Sequence, residues 1–241
     1  MHRAVRLVAG VTVTLLVGAS GAAIAAAEPP PRAEAPGTQM LARLTHAVTV
    51  FSGPDSGSTR VETVSSTRPI TSERTVLPVI ATATDPSGNA WLDVLLPGRP
   101  NSHTGWISGR SATLGATGWA LKIHTSSRDV SVLHAGVWVR SFRAVVGKSS
   151  TPTPLGRFFV EESVKVATYA VGAPYALALS ARSNVLQEFA GGPGQIALHG
   201  TNNVGGVPGT AVSHGCVRLD TRAITWLADN IPPGTPVTIT R

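Results

Sequence analysis

The chain has 241 residues, 42% of them apolar, which is enough for one large domain or two modest ones. Its formal net charge is +7, but the basic residues are scattered and no nucleic-acid motif accompanies them, so nucleic acid is not an expected partner. The single Cys excludes a disulfide within the chain.

The chain opens with Arg3 and Arg6 and no acidic residue, continues with an apolar run over residues 7–17, and ends this region in small residues up to Ala27, before Glu28. That order predicts a secretory signal peptide over residues 1–27, cleaved after Ala27. The apolar run is short for a membrane helix, which takes about 20 residues. An uncleaved anchor is the rival, and it accounts less well for the small-residue tail. Export follows, with membrane contact confined to the segment before cleavage. Loss of Arg3 and Arg6 lowers the charge from +7 to +5, still a basic surface suited to anionic wall polymers. Residues 28–40 begin rich in Pro and Ala without periodicity and read as a semi-rigid spacer.

From residue 41 the pattern becomes short apolar runs separated by turns. Val48-Thr49-Val50-Phe51 precedes the cluster Gly53-Pro54-Asp55-Ser56-Gly57. A second run over residues 76–83 closes at Asp85-Pro86-Ser87-Gly88-Asn89. Residues 91–96 alternate and stop at Pro97-Gly98, and Trp106-Ile107 follows Gly105. This predicts a small all-β module over residues 41–112. Its spacing and its Gly-Trp-Ile ending resemble SH3-like modules, although a β extension packed on the main domain fits equally. Residues 112–118 (ATLGATG) are small, and they predict a flexible domain boundary.

A second β-rich block occupies residues 118–241. Residues 129–133 and 137–142 read as a hairpin around Ala135-Gly136. Phe158-Phe159-Val160 reads as a strand, and residues 195–199 as a strand that arrives at a polar loop. Asp220 caps a short helix with the apolar stripe Ala223, Ile224, Leu227 and Ala228, ended by Ile231-Pro232-Pro233-Gly234. Residues 237–240 form the last strand. The predicted class is mainly β with one short helix.

The chemistry gathers in residues 198–220. A strand delivers His199 into a loop rich in Gly and Asn, and Ser213-His214-Gly215-Cys216-Val217-Arg218 follows. An unpaired thiol in an exported chain is reactive, intermolecular or simply buried. A thiol attacks as its thiolate, so near neutral pH it needs an activator, and a nearby imidazole is one. N–H groups around Gly215 and Cys216 would then face a developing oxyanion. Spacing alone leaves His199 and His214 both open as the base.

The run resembles the L,D-transpeptidase catalytic domain family: a His, a gap, then Ser/Thr-His-Gly-Cys, an apolar residue and Arg or Asn. His199-Gly200-Thr201-Asn202 and the upstream Thr153-Pro154-Leu155-Gly156-Arg157-Phe158 also match the family's pattern. The resemblance covers residues 118–241 and implies a β-sandwich catalytic domain with a short helix after the catalytic loop. It implies Cys216 as nucleophile and His199 as general acid/base, oriented by the Gly200 carbonyl. It also implies that His214, Gly215 and Ser213 shape the oxyanion site. Arg218 would hold a substrate carboxylate or fix the loop by pairing with Asp220. Thr201, Asn202 and Tyr175 would contribute to substrate binding, although for Tyr175 and Tyr169 packing is the preferred reading over lining or covering a substrate groove.

The implied reaction is 3→3 cross-linking of peptidoglycan stem peptides through a Cys thioester, with release of D-Ala. Water as acceptor would make the protein an L,D-carboxypeptidase, and a wall-binding protein without catalysis is a further alternative. Carbapenem-type β-lactams would acylate Cys216. Thiol and imidazole cover the acyl and proton steps, so no metal or organic cofactor is required. His199, His214 and Cys216 as zinc ligands is the competing reading, against which stands the lack of any second thiol. His46, His103, His124 and His134 have no partner motif.

Overall fold

Successive side chains of a strand point to opposite faces, and that alternation organises both halves of this chain. The structure, a computed structural model, describes residues 37–189 and 191–241. The predicted signal peptide and residues 28–36 of the predicted spacer lie outside the described residues.

The first half is a sheet of seven strands: β1 (Gln39–Leu44), β2 (Val48–Phe51), β3 (Arg60–Val64), β4 (Val76–Thr84), β5 (Ala90–Leu95), β6 (Thr104–Ser108) and β7 (Ala112–Thr117). Their order is β3-β2-β6-β5-β4-β1-β7. Inward residues such as Leu44, Val50, Leu77, Val94 and Ile107 form its core. The last strand corrects the expectation that residues 112–118 are flexible. It pairs with β1 along its whole length, from Ala112 opposite Leu44 to Thr117 opposite Gln39. Ladder hydrogen bonds to a neighbouring strand override the weak intrinsic preference of Ala and Gly.

The second half contains β8 (Trp119–His124), β9 (Asp129–His134), β10 (Val137–Arg143), β11 (Val146–Gly147), β12 (Gly156–Lys165), β13 (Tyr175–Arg182), β14 (Gln195–Gly200), β15 (Ala211–Ser213), β16 (Val217–Leu219), α1 (Thr221–Asn230) and β17 (Pro236–Thr240). Eight of these strands make one mixed sheet in the order β10-β9-β8-β17-β12-β13-β14-β16, and β11 pairs with β15. The chain is mainly β, with a single α-helix among the described residues. Ala135 and Gly136 both take positive φ (51° and 78°), the backbone that a two-residue hairpin between β9 and β10 requires. Asp220 opens α1 by accepting the Ala223 N–H, and Ala223, Ile224 and Leu227 are buried beneath it.

Strand β12 ties the halves together. Phe158 joins the core of the eight-stranded sheet, whereas Phe159 joins the core of the seven-stranded one. Both rings are fully buried, worth roughly 1.5–3 kcal/mol each. The two sheets accordingly belong to one compact unit. Among the described residues no helix is long and apolar enough to cross a membrane.

Candidate active site

Alternation along β14 buries Ile196, Leu198 and Gly200 and leaves Gln195, Ala197 and His199 half-buried on the opposite face. Strand β16 runs parallel to it, with Leu198 opposite Val217 and His199 opposite Arg218. Cys216 lies two residues before Arg218, so the alternation carries it to the same side. His199, His214, Cys216 and Arg218 line one cavity of about 530 Å³, walled also by Val171 and Phe189.

His199 Nδ1 lies 2.8 Å from the Gly200 carbonyl. A carbonyl only accepts, so Nδ1 carries the proton and Nε2 keeps its lone pair. Gly172 backs the ring. At its φ of +85° a Cβ would stand 2.7 Å from His199 Nδ1. The Gly172 carbonyl accepts from Gly200 N–H at 2.8 Å, and its own N–H donates to the Asn202 carbonyl at 2.9 Å. The loop between β12 and β13 is thereby pinned to the His199 strand.

The turn before Cys216 is braced from two directions. Ser213 Oγ donates to the Cys216 carbonyl at 2.6 Å and accepts from Gly215 N–H at 3.1 Å. Thr153 Oγ1 donates to the Gly215 carbonyl at 2.8 Å while accepting from Gly147 N–H at 2.9 Å, and Thr151 Oγ1 donates to the Ser213 carbonyl at 3.2 Å. Both threonines are buried. Gly215 itself has φ +121°, a conformation open to glycine. Cys216 Sγ points toward the Gln195 carbonyl at 4.0 Å.

Burial sets the charge state. It pushes the Cys216 thiol up from the ordinary range, outweighing the opposing hydrogen bond from Ala197 and the positive Arg218. Burial also pushes His199 down, against the raising effect of its bond to Gly200, and Arg218 lowers it further. Burial thus favours the uncharged form of both the thiol and the imidazole.

The remaining sequence candidates divide. His214 is exposed and stacks on Phe189 with centroids 5.5 Å apart. Arg218 is buried; Nη1 reaches the Val204 and Gly205 carbonyls at 3.4 and 3.3 Å, and Nε has no partner among the described residues. Its expected pairing with Asp220 is corrected: Asp220 takes the Ala223 N–H instead, as a helix cap. The Gly215 N–H donates to Ser213 Oγ. Tyr175 is half-buried and packs against the core that contains Leu177 and Leu198. Thr201 and Asn202 lie outside the cavity wall and hold backbone: Thr201 N–H donates to the Leu219 carbonyl, and the Asn202 carbonyl accepts from Gly172. Tyr169 is 89% exposed. Among the described residues no three His, Cys, Asp or Glu side chains come together in a cage for a metal ion. Sequence reasoning missed Gln195, Gly172 and Phe189. Thr153 was visible only as part of a motif.

Fold and site together describe a mainly β protein whose single thiol shares a cavity with a carbonyl-bound imidazole. The model of the YkuD family, the L,D-transpeptidase catalytic domain, matches residues 119–239, half of the chain, and the chain belongs to that family. It is 34% identical over 103 residues to YkuD of Bacillus subtilis (strain 168), covering 43% of this chain and 54% of that protein. To YkuD of Bacillus licheniformis it is 31% identical over 122 residues, covering 51% of this chain and 66% of that protein. The chain thus matches between about half and two thirds of the length of these curated relatives. Among solved structures, L,D-transpeptidase 3 from Mycobacterium tuberculosis, in complex with a faropenem-derived adduct, aligns with a TM-score of 0.44 at 13% identity, covering 83% of this chain and 95% of that one.

Proposed function

We propose that this chain is an exported acyltransferase that forms 3→3 cross-links between peptidoglycan stem peptides, with Cys216 as nucleophile and His199 as general acid/base. The observation that carries the reading is the shared cavity lined by a carbonyl-bound imidazole and the chain's single thiol. Because burial favours the neutral form of both thiol and imidazole, proton transfer accompanies attack in this reading. Nε2 of His199 takes the thiol proton as sulfur bonds to the carbonyl carbon of the third stem residue. The C–N bond to D-Ala then breaks, and the proton goes to the departing amine. A thioester remains on Cys216. The side-chain amine of a second stem attacks it, loses a proton to His199 and forms the new amide, while the thiol is regenerated. The partnerless Nε of Arg218 supports a role in holding a substrate carboxylate. Residues 41–112 and 118–241 serve in this reading as an all-β module and a catalytic domain, and residues 1–27 as a cleaved export signal.

The test is incubation of the purified chain with tetrapeptide stems, followed by mass analysis. Release of D-Ala with formation of dimers joined through two third-position residues is the expected result. Release of D-Ala without dimers would assign water as the acceptor. Unchanged stems would contradict acyl transfer.

A further inference from the structure

The connection between β13 and β14 contributes Phe189 to the wall of the cavity that His199 and Cys216 line. Leu186 and Phe189, carried by this connection, line a narrow space along Cys216 together with His214 and Gln195. The connection has few ties of its own to the eight-stranded sheet. Its ends are joined to each other by the Ser183 N–H, which donates to the Gly194 carbonyl at 2.8 Å, and the loop between β5 and β6 of the seven-stranded sheet holds it from outside. From that loop Arg99 donates Nη1 to the Pro193 carbonyl at 2.9 Å, and Nη2 to the carbonyls of Ser183 at 2.8 Å and Leu186 at 3.2 Å. One planar guanidinium therefore closes both ends of the connection, a geometry that a Lys ammonium cannot reproduce. The close approach depends on Gly194, whose φ is +66°. A Cβ there would lie 2.0 Å from the Leu186 carbonyl and 3.2 Å from Arg99 Nη2.

Two further ties come from the same side. Asn101 donates to the Arg182 carbonyl at 2.7 Å and to Asn184 Oδ1 at 2.9 Å, and accepts from Arg182 N–H at 2.8 Å. Fully buried Glu161 pairs with Arg68 of the seven-stranded half and with Arg182, and it accepts from Gln195 Nε2 at 3.2 Å. Gln195 is the residue whose carbonyl faces the Cys216 thiol.

We propose that Arg99 is a positioning residue for acyl transfer: it fixes the β13–β14 connection so that Leu186 and Phe189 form a wall against which a peptide substrate lies beside Cys216. The proposal rests on the reading of Cys216 as the nucleophile. It also gives the seven-stranded half a part in the reaction, since the wall is set by residues of a half that contains neither Cys216 nor His199.

The test compares the full chain with Arg99→Ala and Arg99→Lys. Hydrogen exchange in residues 183–194 reads the clamp directly, and it should accelerate about tenfold in Arg99→Ala. Unchanged exchange overturns the proposal whatever the activity. With stem peptides, Arg99→Ala should lower kcat/KM about tenfold, mainly through KM, and Arg99→Lys should recover only part of the loss. Alkylation of Cys216 by iodoacetamide, too small to use the wall, should stay within about twofold of the wild type. A variant with wild-type kcat/KM, or one whose alkylation falls in step with kcat/KM, also overturns the proposal. If Arg99→Ala does not fold, Asn101→Ala releases the same connection and carries the same expectations. A wild type without stem turnover, together with accelerated exchange in the variant, sinks the acyl-transfer reading and leaves the clamp standing.

Discussion

His199 and Cys216 are moved by burial in opposite directions, and both movements favour the neutral form. Below the lowered pKa of His199 the ring is protonated and cannot accept the thiol proton. Activity should therefore fall as pH falls through that value, giving an acid limb of kcat/KM centred below 6.5, the ordinary imidazole value. His199→Ala should remove the limb and slow turnover by about 10² to 10⁴-fold. A limb centred above 6.5, or an undiminished rate in the variant, would contradict the role of His199. Cys216 stood out in the sequence as a lone Cys in a Ser-His-Gly-Cys run, whereas spacing left His199 and His214 both open and only the family resemblance singled out His199. Their charge state was not legible, since it depends on what strands far apart in sequence bury around them.

The turn that presents Cys216 depends on an element from the other end of the domain. The Thr153 hydroxyl bridges the Gly147 N–H and the Gly215 carbonyl from a buried position. Thr153→Val keeps the shape and leaves both backbone groups without that partner, which should destabilise the fold by about 1–3 kcal/mol. It should also slow Cys216 alkylation, whereas Thr153→Ser should preserve both. Denaturant unfolding and the alkylation rate check this, and a Thr153→Val protein that matches the wild type in both would refute the brace. Elements with β-branched runs, such as β2 and β4, were legible from pattern. Strand β13 was not, because Tyr-Ala-Leu-Ala-Leu-Ser-Ala-Arg is poor in β-branched residues and owes its state to pairing on both edges. For the same reason residues 112–118 read as a loose boundary although β7 pairs along all of β1.

Across the whole molecule the two sheets are coupled rather than strung together. Phe158 and Phe159 enter different cores from one strand, and buried Glu161 is paired from both halves. No sequence pattern could announce this, because Arg99 meets Ser183 and Pro193 across separations of 84 and 94 residues. The most direct measurement is the intact mass of the chain after incubation with a carbapenem, followed by peptide mapping. The wild type should gain one acyl adduct, located on Cys216, and Cys216→Ala should gain none. An unmodified wild type, or an adduct that persists in Cys216→Ala, would contradict the assignment of Cys216 as the nucleophile.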